Sequence, residues 1–162
     1  MDTLDTIKKR RSVRDFTGDP IPLEDIETIV DAGRLAASGN NKQPWDFVVV
    51  TNKGIIQPLS KAAAWSANAS AMIAVVMDPS SKYWLEDGSA AIENMLLAAT
   101  ALGYGSCWLQ GNTRPHEAEF KLLLNIPNHL NLLSLVPIGV PVKWPESKEK
   151  KSLAEVLHWE TF

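Results

Sequence analysis

The chain lacks most of the residue patterns that announce a chemistry. It has one cysteine, Cys107, in 162 residues, which excludes an internal disulfide and fits a reducing compartment, the cytoplasm being the expected location. No apolar run approaches the ~18–20 residues that span a bilayer. The opening residues, with Asp2 and Asp5 and no apolar stretch, lack the features of a secretory signal, so no membrane partner is expected. Bases do not outnumber acids: 16 Lys and Arg stand against 19 Asp and Glu, a net charge of −3. That balance argues against nucleic acid as a general partner. His116, His129 and His158 are scattered without ligand spacing, so no metal site is expected. Gly-x-Gly-x-x-Gly, Gly-x-x-x-x-Gly-Lys-Ser/Thr and Gly-x-Ser-x-Gly are all missing, which leaves a dinucleotide fold, a P-loop and a hydrolase elbow without a motif. Cys107 falls in a strand pattern and reads as a small core residue. No pair of carboxylates stands out as an acid/base couple, and no catalytic side chain is expected.

What is present suits one globular domain with one substantial core: 45% of residues are hydrophobic and 22% charged. Six tryptophans are many for this length and need a core, an interface or a ligand pocket to house them. Apolar spacing predicts helices over residues 2–10 and 22–37, the second opened by Pro22 with Glu24 and Asp25 in its first turn. Strands are expected at 45–51, 72–77, 106–109 and 132–138, with helices at 53–63, 83–102 and 115–124, the last capped by Thr113. The helix ending before Gly103 is apolar on more than one face, through Ala90, Ala91, Met95, Leu97, Ala98 and Ala99. It is either wrapped by its own domain or covered by a second subunit. Residues 141–162 are charged but close on Trp159 and Phe162, which favours a tail lying across another surface over a disordered one.

Arg10, Arg11 and Arg14 crowd around Ser12 at the end of the first helix. Guanidinium groups pair bidentately with phosphate oxygens and a serine hydroxyl adds a bond, so an anion bridging the cluster explains it. A solvated basic patch explains it equally well. Lys148, Lys150 and Lys151, set among acids, read alone as a solvated run and gain meaning only if the fold returns the tail to the arginines. The polar loop Ser38–Pro44 carries groups that can bond the edge of a heteroaromatic ring, or it is an ordinary helix-to-strand connection. Gly103, Gly105 and Gly111 bracket a strand where a flat ligand could approach the backbone, or they simply make turns. Phosphate-gripping arginines without catalytic side chains suit a cofactor that does the chemistry itself.

Taken as a set, these blocks resemble the flavin mononucleotide (FMN)-dependent nitroreductase family in its compact form. They are Ile7 through Phe16, Ala36 through Trp45, Asp87 through Ala99, Leu102 through Trp108, Ile138-Gly139-Val140-Pro141 and Leu157-His158-Trp159-Glu160, in the right order over essentially the whole chain. The resemblance implies an α+β, three-layer α-β-α fold with a mixed, largely antiparallel central sheet. It implies an intertwined homodimer in which residues 1–162 form a single FMN-binding domain and 141–162 pack on the partner subunit. It implies that Arg10, Arg11, Ser12 and Arg14 hold the cofactor phosphate and ribityl chain, helped by Lys148 and Lys150, the latter where arginine is commoner in the family. Ala37, Ser38, Gly39 and Asn41 would approach the flavin ring from the other subunit. Gln110 and Gly111 would lie beside its reactive edge, the Gly111 N–H bonding N5. The implied reaction is an NAD(P)H-dependent flavin oxidoreductase of nitroreductase type, passing a hydride through FMN N5 to nitroaromatic, quinone or similar acceptors by a ping-pong mechanism. Two other readings compete: an FMN-binding sensor or storage module without efficient turnover, and a flavin-free dimeric scaffold whose arginines are surface charge. The short connection 78–82 predicts an open substrate side with few walls.

Overall fold

A computed structural model describes residues 2–162. The described residues form five α-helices around one four-stranded sheet: α1 (Thr3–Lys9), α2 (Leu23–Arg34), β1 (Trp45–Val50), α3 (Lys53–Leu59), β2 (Ala71–Met77), α4 (Trp84–Ala101), β3 (Gly105–Ser106), α5 (Glu117–Leu123) and β4 (Asn131–Gly139). The strand order is β1-β2-β4-β3, and every adjacent pair is antiparallel. One parallel bridge, Ser12 to Ser106, adds the arginine segment beyond β3. This is the expected α+β fold with a mixed, largely antiparallel sheet.

Strand periodicity explains the layering. On β2, Ile73, Val75 and Met77 face α2 and α4, while Met72, Ala74 and Val76 face the α3 and α5 side. Both faces are covered, so the strand is an unbroken apolar run. On β4 the phase slips: Leu132 and Leu135 point to one side, Leu133 and Val136 to the other. The slip is a bulge, because Val75 pairs with Ser134 but Val76 pairs with Leu132.

Several boundaries differ from the pattern-based expectation. The helix expected over 22–37 stops at Arg34. The Asn94 side-chain amide donates to Ala32 O at 3.0 Å, satisfying a carbonyl of the last turn from outside. The helix expected over 53–63 ends at Leu59 and continues as a 3₁₀ turn over Ser60–Ala62, and Pro58 inside it leaves the Gly54 carbonyl without its ladder donor. The strand expected at 106–109 is only Gly105–Ser106 plus a bridge at Leu109. The Cys107 N–H donates to Pro137 O, but a proline cannot donate back, so the ladder is one-sided there. Thr113 does not cap a helix by its side chain. Its hydroxyl donates to Leu109 O instead.

Candidate functional site: a cationic cleft at the end of the first helix

α1 begins with Asp2, whose Oδ1 accepts from the Leu4 N–H at 2.9 Å, and ends at Arg10. Beyond it the chain runs extended along β3. The Val13 N–H donates to Ser106 O at 2.9 Å, and Thr17 N–H to Val140 O at 3.0 Å. Val13 and Phe16 are buried anchors. Gly105 permits the close approach: a Cβ there would lie 2.7 Å from the Val13 Cβ. With Val13 turned inward, its neighbours Ser12 and Arg14 turn toward the surface.

The tail returns to this point. Val142 N–H donates to Asp15 O at 3.1 Å. The Trp144 indole N–H then donates to Lys9 O at 3.0 Å, and the Lys9 ammonium stands 5.4 Å over the same ring. The chain next lines a cleft of about 690 Å³ bounded by Arg10, Arg11, Ser12 and Arg14 on one side and by Glu146, Lys148 and Lys150 on the other. Six of the residues expected to bind cofactor thus meet in one place, although the two groups lie at opposite ends of the chain.

Within the cleft the arginines differ. Arg10 Nε pairs with Glu93 of α4 at 3.3 Å, which leaves its terminal NH₂ groups for another acceptor. Arg11 Nη1 donates to Lys8 O and Arg10 O, both at 2.7 Å, closing the end of α1. Its Nε is buried without a partner. Below them lies Cys107, 3% exposed. Burial pushes its thiol up, against weaker opposing pulls from Arg14, Ser12 and Arg10. It is a core thiol held neutral, not a nucleophile.

Ala37, Ser38, Gly39 and Asn41 do not line this cleft. They form the α2–β1 loop, which lies against the start of α4. Asn40, Asn41 and Gln43 have φ of 52°, 56° and 50°, left-handed conformations that cost about 1 kcal/mol each outside glycine. The loop is held by Asn41 N–H to Ser38 O, Gln43 N–H to the Ser38 hydroxyl at 3.0 Å, and Gly39 N–H to Asp87 Oδ1 at 2.9 Å. Gly39 lets the Tyr83 ring pack close, since a Cβ there would lie 2.5 Å from that ring and displace it. Gln110 and Gly111 form a third group. The Gln110 carbonyl accepts from Thr113 and Arg114 N–H, while the exposed Gly111 N–H takes no part in the hydrogen bonds that hold its loop. The sequence reading missed Trp144, Glu93 and Asp87. The acids on a largely apolar helix, Glu86 and Asp87 in its first turn and Glu93 further along, were the available signal for the last two.

A separate groove of about 610 Å³ runs between α2 and β1, lined by Leu23, Ile26, Val30, Trp45, Phe47 and Val49. Its charged rim carries Glu27, Asp31 and Asp46 against one base, Arg34, which is paired with Asp31 at 2.7 Å, so it does not suit an anion. Among the described residues no helix is long and apolar enough to cross a membrane.

The fold thus brings arginines, lysines and a serine from distant parts of the chain into one cationic cleft. The nitroreductase family model matches residues 7–78 and 67–140. A relative from Archaeoglobus fulgidus, provisionally named an NADH dehydrogenase/NAD(P)H nitroreductase, is 43% identical over 149 residues, covering 85% of this chain and 84% of its own. A solved structure from Parabacteroides distasonis with the same provisional name has 30% identity and a TM-score of 0.90, covering 99% of this chain and 98% of its own. A Bacteroides fragilis nitroreductase solved with bound FMN has 28% identity and a TM-score of 0.84, covering 99% of this chain and 100% of its own. The chain belongs to the nitroreductase family.

Proposed function

We propose that this protein is an FMN-dependent oxidoreductase that uses NAD(P)H to reduce nitroaromatic, quinone or similar small-molecule acceptors. The observation that carries the reading is the return of Lys148 and Lys150 to Arg10, Ser12 and Arg14 in one cleft. The donor set fits a phosphate monoester: guanidinium and ammonium groups with a hydroxyl, and one buried Arg11 N–H still without an acceptor. The cleft volume lies within the range of about 300–1,000 Å³ usual for ligand sites. The reading gains support from the bound FMN of the B. fragilis nitroreductase and from the name of a Vibrio harveyi relative, NADPH-flavin oxidoreductase, 27% identical to this chain.

In this proposal Arg10, Ser12, Arg14, Lys148 and Lys150 hold the phosphate end, and Arg11 adds charge while closing α1. Ser38, Gly39 and Asn41, with Ala37, orient the ring from a second copy of the chain, and Gln110 with the free Gly111 N–H stands at its reactive edge. What FMN supplies when bound is hydride transfer at N5, taken from NAD(P)H and given to the acceptor in two separate half-reactions. No side chain of the protein need act as acid, base or nucleophile.

The proposed assembly is a homodimer in which the tail covers its partner. β1 is an edge strand with β2 as its one neighbour, and such an edge is usually covered. The apolar groove runs beside it, while Leu153, Val156, Leu157, Trp159 and Phe162 of the tail are exposed on a single chain. A cytoplasmic location accords with the single reduced, buried Cys107.

The test is anaerobic stopped-flow mixing of the FMN-loaded protein with NADH or NADPH, followed by a nitroaromatic or a quinone. Bleaching of the flavin band by the nucleotide and its return on adding the acceptor are expected. A flavin that binds but stays oxidised overturns the enzyme reading in favour of a sensor or store.

A further inference from the structure

We propose that Asp87 is a positioning residue for the flavin ring, acting through Gly39 and touching no cofactor itself. The inference rests on the FMN reading above and extends it to a residue outside the binding groups.

Asp87 sits in the first turn of α4. An acid there usually favours the helix dipole from solvent, as the exposed Glu86 does. Asp87 is instead 5% exposed. Its Oδ1 accepts the Gly39 N–H at 2.9 Å, from a loop 48 positions earlier in the chain. Its Oδ2 is buried without a partner among the described residues. Burying a half-satisfied carboxylate is costly, and dipole stabilisation does not require it.

The loop it reaches needs an outside template. Three of its non-glycine residues hold positive φ, and such backbone persists where the surroundings over-determine it. Besides the Asp78 N–H donated to Pro44 O at 2.8 Å, which fixes the loop's far end at β1, its remaining hydrogen bonds are internal, Ser38 with Asn41 and Gln43, and Gly39 with Lys42. These fix the shape of the loop but not the place of its Ser38–Asn41 half. Asp87 ties it to α4 by hydrogen bond, and the Tyr83 ring, packed on Gly39, sets the approach. In the FMN reading, the half-buried Ser38 and the exposed Asn41 therefore take their place beside the ring from a buried carboxylate behind them.

The experiment titrates FMN and riboflavin into the full-length apo-protein, following quenching of flavin fluorescence. Riboflavin has the ring without the phosphate, so it isolates the ring end of the site. Asp87→Ala is expected to weaken both flavins by the same factor, about tenfold, as for loss of one hydrogen bond to a charged group. Asp87→Asn keeps an acceptor oxygen for Gly39 and is expected within about threefold of wild type. Should Asp87→Ala not fold, Asp87→Ser, whose hydroxyl falls short of Gly39, takes its place with the same expectation. Wild-type affinity in the Ala or Ser variant, a loss confined to FMN, or an Asn variant as weak as Ala each overturns the proposal. Arg14→Ala, expected to lose FMN but not riboflavin, separates that failure from failure of the FMN reading. A wild-type protein that takes up neither flavin overturns both.

Discussion

Lys148 and Lys150 lie among acids in a charged tail, and as residues they resemble any solvated run. Their meaning comes from Trp144, which hydrogen-bonds to Lys9 across 135 positions and sets the following lysines opposite Arg10 and Arg14. The residue types of the cleft were legible in the sequence, because three guanidiniums around a serine need an anion or water. The clamp that joins the halves was not, because a tryptophan–carbonyl contact at that separation leaves no periodic trace. Cys107 was legible as core, and its environment makes it testable. Burial holds the thiol protonated despite the nearby arginines. A disulfide-exchange reagent such as Ellman's is expected to leave the native protein unlabelled at pH 8 and to react once urea exposes Cys107. Prompt labelling of the native state would show a thiolate at the base of the cleft.

At the scale of elements, α4 and β2 were read well because each is long and strongly patterned. β4 was found, but its bulge was hidden: Leu132, Leu133, Leu135 and Val136 are all apolar, so a one-residue slip changes no letter of the pattern. β3 was overread because the one-sided ladder at Pro137 belongs to another strand. A contact between elements also sets a pH dependence. The Tyr104 hydroxyl, just after α4, donates to Asp25 Oδ2 of α2 at 2.5 Å. That bond, with burial and the nearby acids adding, pushes the tyrosine up to about 12 from an ordinary value of about 10. The folded state therefore holds this proton more tightly than the unfolded chain. Its stabilisation is full below about pH 10 and is lost as pH rises through 12. Tyr104→Phe is expected to lower stability by about 1 kcal/mol at pH 7 in urea unfolding. The gap to wild type should close between pH 10 and 12. A gap that stays constant with pH would show that Tyr104 contributes by packing alone.

At the scale of the whole molecule, one chain leaves an edge strand bare, an apolar groove beside it and a tail whose apolar side chains face solvent. α4 tells the same story: Ala90, Leu97 and Ala98 are only half-buried on a helix apolar nearly all round. In the proposed homodimer, two copies that exchange tails would satisfy these features together. Removing residues 152–162 is expected to turn a dimer into a monomer, or to weaken it at least tenfold, in sedimentation equilibrium. An unchanged dimer would place the tail elsewhere. The central claim is that the two ends of the chain combine to grip a flavin phosphate. It is tested most directly by the ratio of FMN to riboflavin affinity in wild type and in Arg14→Ala. Wild type is expected to favour FMN strongly, and the substitution to cut FMN affinity on the order of 10–100-fold, the loss of one charge-assisted contact, with riboflavin binding and the dimer unchanged. Equal affinity of the wild-type protein for FMN and riboflavin, or FMN binding indifferent to Arg14, would contradict it.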